Sequence, residues 1–114
     1  MATTETRSLW RLFRAIEEFR RDDPEFPPQL MLTFLYTAMH DGAPMKDIAE
    51  AVDIAQSTTS RNVASLDKIN RHHEPGYDYV RAVPDPNERR RKVVYLTPKG
   101  RKLRDRLVSI FEES

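Results

Sequence analysis

A mainly α-helical domain with one small β-hairpin is the fold class that this 114-residue sequence predicts, on three observations. Apolar residues recur at helical spacing in five separate segments. Two short runs rich in Val and Tyr, Tyr79–Val83 and Lys92–Leu96, flank a stretch of Pro, Asp and Asn, the pattern of a hairpin. Two short helical segments joined by a tight corner lie just ahead of that hairpin. The order is that of a winged helix-turn-helix.

The length suits one domain and is too short for two. Without cysteine there is no disulfide framework, no thiol nucleophile and no thiolate-ligated zinc. The longest apolar stretch, Leu30 to Met39, has about half the length of a bilayer crossing and is interrupted by Thr33 and Thr37. The N-terminal Met-Ala-Thr-Thr-Glu-Thr-Arg has neither the basic start nor the apolar run of a signal peptide. The expectation is a soluble, cytoplasmic, nucleoid-associated protein with no membrane partner.

The first helix is capped by Ser8 and carries Leu9, Leu12, Phe13, Ile16 and Phe19 at helical spacing, with Trp10 off that stripe. Asp22-Asp23-Pro24 ends it, because the residue before a proline leaves the helical region. Pro27-Pro28 opens a second helix, Gln29 to His40, apolar almost all round and so expected to be central and buried. Met45, Ile48, Ala49 and Val52 mark the inner face of a third. Asp53-Ile54-Ala55 makes the corner, with Asp53 in place of the usual glycine because aspartate visits the left-handed region at modest cost. Thr59, Val63, Leu66 and Ile69 mark the inner face of a fourth helix. Arg71 to Asp78 is a loop by its Pro-Gly pair and its polarity, and Pro84 to Arg90 is the hairpin tip. Thr97 caps the last helix, whose stripe is Leu103, Leu107, Ile110 and Phe111. The chain then divides into an N-terminal helix over residues 1–26 for dimerisation or packing, a winged helix-turn-helix over 27–106, and the end of the C-terminal helix over 107–114.

The net charge of +1 conceals a strong asymmetry. Residues 1–55 hold ten acids and six bases, whereas residues 85–106 hold three acids and nine bases. The positive charge is concentrated at the hairpin, where Arg89, Arg90, Arg91 and Lys92 are consecutive. Arginine on a protruding tip suits a narrow minor groove, where the negative potential is strongest. Asp85 or Glu88 is placed to fix one guanidinium by a bidentate pair. Upstream, the outer face of the fourth helix carries Gln56, Ser57, Thr58, Ser60, Arg61 and Asn62, with no acid before Asp67. Gln reads adenine, Arg reads guanine, and hydroxyls bond phosphates or base edges. Ser57-Thr58-Thr59-Ser60 is poor in helix propensity, so its composition points to recognition rather than to an ordinary solvent face.

From Pro28 to about Arg106 the sequence resembles the multiple-antibiotic-resistance regulator (MarR) family of winged-helix DNA-binding proteins. The resemblance is carried by residues 47–52, residues 56–66 and, above all, residues 85–100, which read as an acid, consecutive arginines, a strand, and Leu-Thr-Pro-Lys-Gly. It implies a transcriptional regulator that binds double-stranded DNA as a homodimer. Arg90 is then the minor-groove residue of the wing, and Glu88 stands where the family has aspartate. The connection from Leu66 to Val80 is longer than the family's, and the C-terminal helix is abbreviated, as in phage- or plasmid-encoded variants. Leu9, Trp10, Phe13, Leu107 and Phe111 remain for a smaller dimer contact. A small-molecule pocket between the first, second and last helices, lined by Trp10, Phe13, Phe34 and Tyr36, is also what the resemblance allows.

Nothing in the chain suggests an enzyme: no His and acid surround a Ser or Thr, and no glycine-rich phosphate loop occurs. His72-His73-Glu74 is the one cluster of metal-ligand types, and adjacent histidines in a loop seldom make a site. No cofactor and no metal are expected. Two alternatives keep the fold: a winged-helix adaptor for a protein partner, docking through its acidic N-terminal half and the Arg71–Asp78 loop, and a replication or partition DNA-binding protein.

Overall fold

Thr3 starts the first helix by accepting a hydrogen bond from the Thr6 N–H on its side chain, so α1 runs Thr4–Arg20 and begins a turn before Ser8. The computed structural model describes residues 3–69 and 72–112; Arg71 of the expected loop, and Glu113 and Ser114 of the last segment, lie outside them. α2 spans Pro28–Met39, α3 Met45–Val52, α4 Gln56–Leu66 and α5 Pro98–Glu112. Three antiparallel strands, β1 (Ala43–Pro44), β2 (Val80–Asp85) and β3 (Glu88–Leu96), form a sheet in the order β1-β3-β2. The five helices and the hairpin stand as expected. The third strand is new: Ala43 and Pro44 pair with Val94 and Val93 and tie the start of α3 to the hairpin.

The core gathers Phe19 from α1, Phe26, Leu30 and Phe34 from the α2 region, Ile48, Val63 and Leu66 from the helix-turn-helix, Val80, Val94 and Leu96 from the sheet, and Leu103 and Leu107 from α5. Phe34 is its centre, fully buried, with ring contacts of 5.7 Å to both Phe19 and Tyr79. Thr33 and Thr37 are buried without penalty because their hydroxyls donate back to the carbonyls of Gln29 and Thr33, each at 2.9 Å. The corner residue Asp53 takes φ 62° and ψ 53°, the left-handed conformation expected of it.

Several inner faces differ from the expectation. α2 is not buried all round: Leu32, Leu35 and Met39 are exposed, Leu32 at 53% and Met39 at 69%. On α1 only Ala15 and Phe19 are buried, and Leu9, Leu12, Phe13 and Ile16 face outward. Periodicity detects an apolar stripe but not what covers it. Ile69 lies beyond the end of α4 and is exposed.

The long connection after α4 is fastened down. The N–H groups of Gly76, Tyr77 and Tyr79 donate to the carbonyls of Lys68, Ser65 and Leu66. Gly76 passes so close that a Cβ would sit 2.0 Å from the Asp67 carbonyl oxygen, which only glycine permits. The hydroxyls of Tyr77 and Tyr79 donate to Asp23 and Asp22 at the α1–α2 junction. These bonds hold both carboxyls below the usual aspartate range, with Lys99 adding to the effect on Asp22. The loop thus serves the fold.

Candidate nucleic-acid interface

The wing is built around a bulge. β2 and β3 pair in register from Val80 opposite Leu96 to Pro84 opposite Lys92, after which Asp85 pairs with Glu88. Arg89, Arg90 and Arg91 therefore have no residue opposite them and are extruded from the ladder, as bulged residues are. The turn is only Pro86-Asn87, so of the expected tip Pro84, Asp85 and Glu88 to Arg90 belong to the strands. Along a regular strand these four cations would alternate between two faces, but across the bulge all four are exposed.

Asp85 organises it. Its side chain is only 7% exposed; Oδ1 accepts the Asn87 N–H at 2.9 Å, and Oδ2 accepts Nε and a terminal nitrogen of Arg91 at 2.9 and 2.7 Å. Both N–H groups converge on one oxygen, unlike the parallel bidentate pair. Among the described residues Glu88 holds no guanidinium; its carboxylate accepts the Arg90 backbone N–H at 3.5 Å, the limit of a hydrogen bond. Among the described residues the side chains of Arg89, Arg90 and Lys92 have no hydrogen-bond or ion-pair partner. One acid thus fixes Arg91 and leaves the other three cations for a ligand.

The Asn87 N–H, and after it Arg91, hold the Asp85 carboxyl below the usual aspartate range. A depressed carboxylate stabilises the fold above its unfolded value of about 3.9, and that contribution is lost as pH falls through the lower folded value. Asp85→Asn should therefore lower the melting temperature at pH 7, and the gap to wild type should narrow below about pH 3.9 and close once the pH is under the lower folded value. An equal gap at both pH values would show that Asp85 acts other than through its charge.

α4 presents Gln56, Ser57, Ser60 and Arg61 exposed, with Thr58 half-buried. Ala55 at its start offers no side-chain cap, which leaves first-turn N–H groups open to an acceptor. Asn62, expected on the outer face, instead turns toward α2, where its amide donates to Gln29 Oε1 at 2.8 Å. At the far end of α4, Asp67 binds the neighbouring strand, accepting Arg81 Nε at 3.1 Å and the Ala82 N–H at 3.3 Å. Helix and wing are therefore pinned together.

The two surfaces meet. Gln56 and Ser60 of α4 and Glu88, Arg90, Arg91 and Lys92 of β3, with Met45 and Lys46 of α3, line one open cleft of about 420 Å³. A continuation past Ser60 and Lys92 reaches Ala64, Asp67, Ile69 and Ala82. Lys46, Asp67, Arg81 and Gln29 were not singled out from the sequence. Lys46 alone carried a signal, being a cation in the first turn of a helix, where acids are favoured.

Elsewhere, a larger cleft of about 660 Å³ at the α1–α2 junction is lined by Asp22, Asp23, Tyr77 and Lys99, whose polar groups already bond one another or the Lys99-facing carbonyl of Tyr77. A groove of about 370 Å³ lies between α1, α2 and α5, as expected, but Leu12, Ile16, Phe19, Met31, Leu35 and Phe111 are among its lining residues. Trp10, Phe13, Phe34 and Tyr36 do not line it: Phe34 is core, and Trp10 stacks on Phe13 at 5.3 Å on the outer side of α1. Of the residues expected at a dimer contact, Leu9, Trp10, Phe13 and Phe111 are exposed, whereas Leu107 is buried in the core of its own chain. His72, His73 and Glu74 are exposed, and among the described residues no three His, Cys, Asp or Glu side chains are grouped to hold a metal ion.

This arrangement, a helix-turn-helix followed by a basic antiparallel wing, defines a winged-helix domain. No family model and no curated protein matches the sequence. Among solved structures, it is similar to the MepR–DNA complex from S. aureus, with TM-score 0.68 and 23% identity over 92% of this chain and 76% of that one. It is also similar to a MarR-like transcriptional regulator from Thermotoga maritima, with TM-score 0.66 and 27% identity over 98% and 77%. The PcaV regulator from Streptomyces coelicolor gives TM-score 0.63 and 20% identity over 96% and 76%. The chain has the winged-helix fold of the MarR-like Thermotoga protein and of PcaV, both of which are transcriptional regulators.

Proposed function

We propose that this protein is a sequence-specific, double-stranded-DNA-binding transcriptional regulator that works as a homodimer on the nucleoid. One observation carries the reading: the exposed polar face of α4 and the extruded arginines of β3 open onto the same cleft. With Gln56, Ser57, Thr58 and Arg61 directed at base edges and phosphates in a major groove, Arg89 and Arg90 reach the flanking minor groove. Asp85 orients the wing through Arg91. The similarity to MepR, solved in complex with DNA, supports the same use of the fold.

The exposed apolar residues of α1 and α2 support dimerisation through the N-terminal helix and the end of α5, with Leu9, Trp10, Phe13 and Phe111 at the contact. α1 also packs on α5, where Arg106 Nε donates to Glu18 at 2.8 Å, so one face of α1 serves its own chain and the other is left for a partner copy. A dimer sets two recognition helices about 34 Å apart on a pseudo-palindrome. Four to eight phosphates neutralised per dimer correspond to a log–log salt slope of about −4 to −7. Fluorescence anisotropy on a labelled duplex between low and moderate salt measures this slope, and a flat response would defeat the proposal.

A further inference from the structure

In a DNA duplex the major groove and its neighbouring minor groove are divided by one sugar–phosphate strand. If α4 occupies the first and the wing the second, that strand must run through the cleft between them. Met45, Lys46, Ser60 and Lys92 lie along this cleft, with Ser60 and Lys92 shared by its continuation toward Ala64 and Ile69. Resting on the proposed function, we infer that Lys46, together with Lys92 and the Ser60 hydroxyl, seats that backbone strand, so that these three residues grip phosphate and do not read bases.

Two features of Lys46 support this. Its side chain is exposed and has no hydrogen-bond or ion-pair partner among the described residues. It is also the second residue of α3, near the positive end of the helix dipole, where a cation is unfavourable and an anion is favoured. A phosphate in the cleft would answer the ammonium and the helix end together. Lys92 faces it across the cleft from the first paired position of β3 beyond the bulge.

The test uses the full chain and a fluorescein-labelled duplex of random sequence, with affinity measured against salt. Lys46→Ala and Lys92→Ala should each weaken binding equally on all sequences and reduce the steepness of the salt slope by about one per bound subunit. Lys46→Arg should keep most of the slope, and Lys46→Ala should melt no lower than wild type, since it removes a cation from a helix start. Ser60→Ala should lower affinity without changing base preference in a selection from random duplex. A Lys46→Ala chain with the wild-type slope, beside a wild type that does bind with a slope, overturns the phosphate seat and leaves the DNA-binding proposal standing. A wild type without any slope overturns both.

Discussion

Arg90→Ala should bind duplex DNA about 10- to 100-fold more weakly than wild type, on every sequence tested. The bulge in β3 extrudes Arg89 to Arg91, and Asp85 takes up Arg91, so Arg90 is a cation held at the wing with no partner of its own among the described residues. Insertion of such a group into a minor groove depends on groove width and potential more than on base identity, which makes its loss general. Arg61→Ala should behave differently, relaxing base preference while leaving weak, salt-sensitive binding in place. Arg61 is exposed on α4, where its guanidinium donates a long 3.4 Å bond to the Thr58 hydroxyl. Neither change touches the core, so both variants should melt with wild type. Competition against random duplex separates the two effects; equal behaviour of the variants would show that helix and wing do not divide the work.

Phe34→Ala should cost about 3–5 kcal/mol of folding stability, the range for truncating a buried aromatic. The ring is fully buried and meets Phe19 and Tyr79 edge-on, so its removal opens a cavity where α1, α2 and the entry to β2 converge. Domains of this size are stable by roughly 5–15 kcal/mol in total, so the variant should unfold at a far lower urea concentration. A change under about 1 kcal/mol would mean that the core closes around the gap.

The helices and the hairpin were legible because their signals are local: apolar spacing, prolines at helix starts, and Asp53 at the corner. β1 was not, because two residues carry no period and Ala43–Pro44 becomes a strand only by pairing with β3. The Glu88–Arg90 stretch reads as part of the tip because Pro84-Asp85-Pro86-Asn87 lies beside it, whereas the Asp85–Glu88 pair keeps it in the strand and the bulge leaves Arg89 to Arg91 unpaired. Asn62 looked outward on a helical wheel, yet Gln29, 33 positions earlier, draws it in. Such long-range partners leave no trace at fixed spacing. The same holds for Asp67 with Arg81 and for Tyr77 and Tyr79 with Asp23 and Asp22. α2 reads as buried because its sequence is apolar on nearly every face, and an all-round apolar helix does not show in sequence which face stays uncovered, here Leu32, Leu35 and Met39.

The central claim is that α4 and the wing engage one duplex at once, on adjacent grooves. Hydroxyl-radical cleavage reports minor-groove and backbone protection, and dimethyl sulfate reports guanine N7 in the major groove, so both probes should be applied to a site selected from random DNA. The wild type should protect guanines at the half-site centre together with the flanking minor groove, and Arg90→Ala should lose only the flank. Protection of a single groove, or a flank unchanged in the variant, would contradict the account.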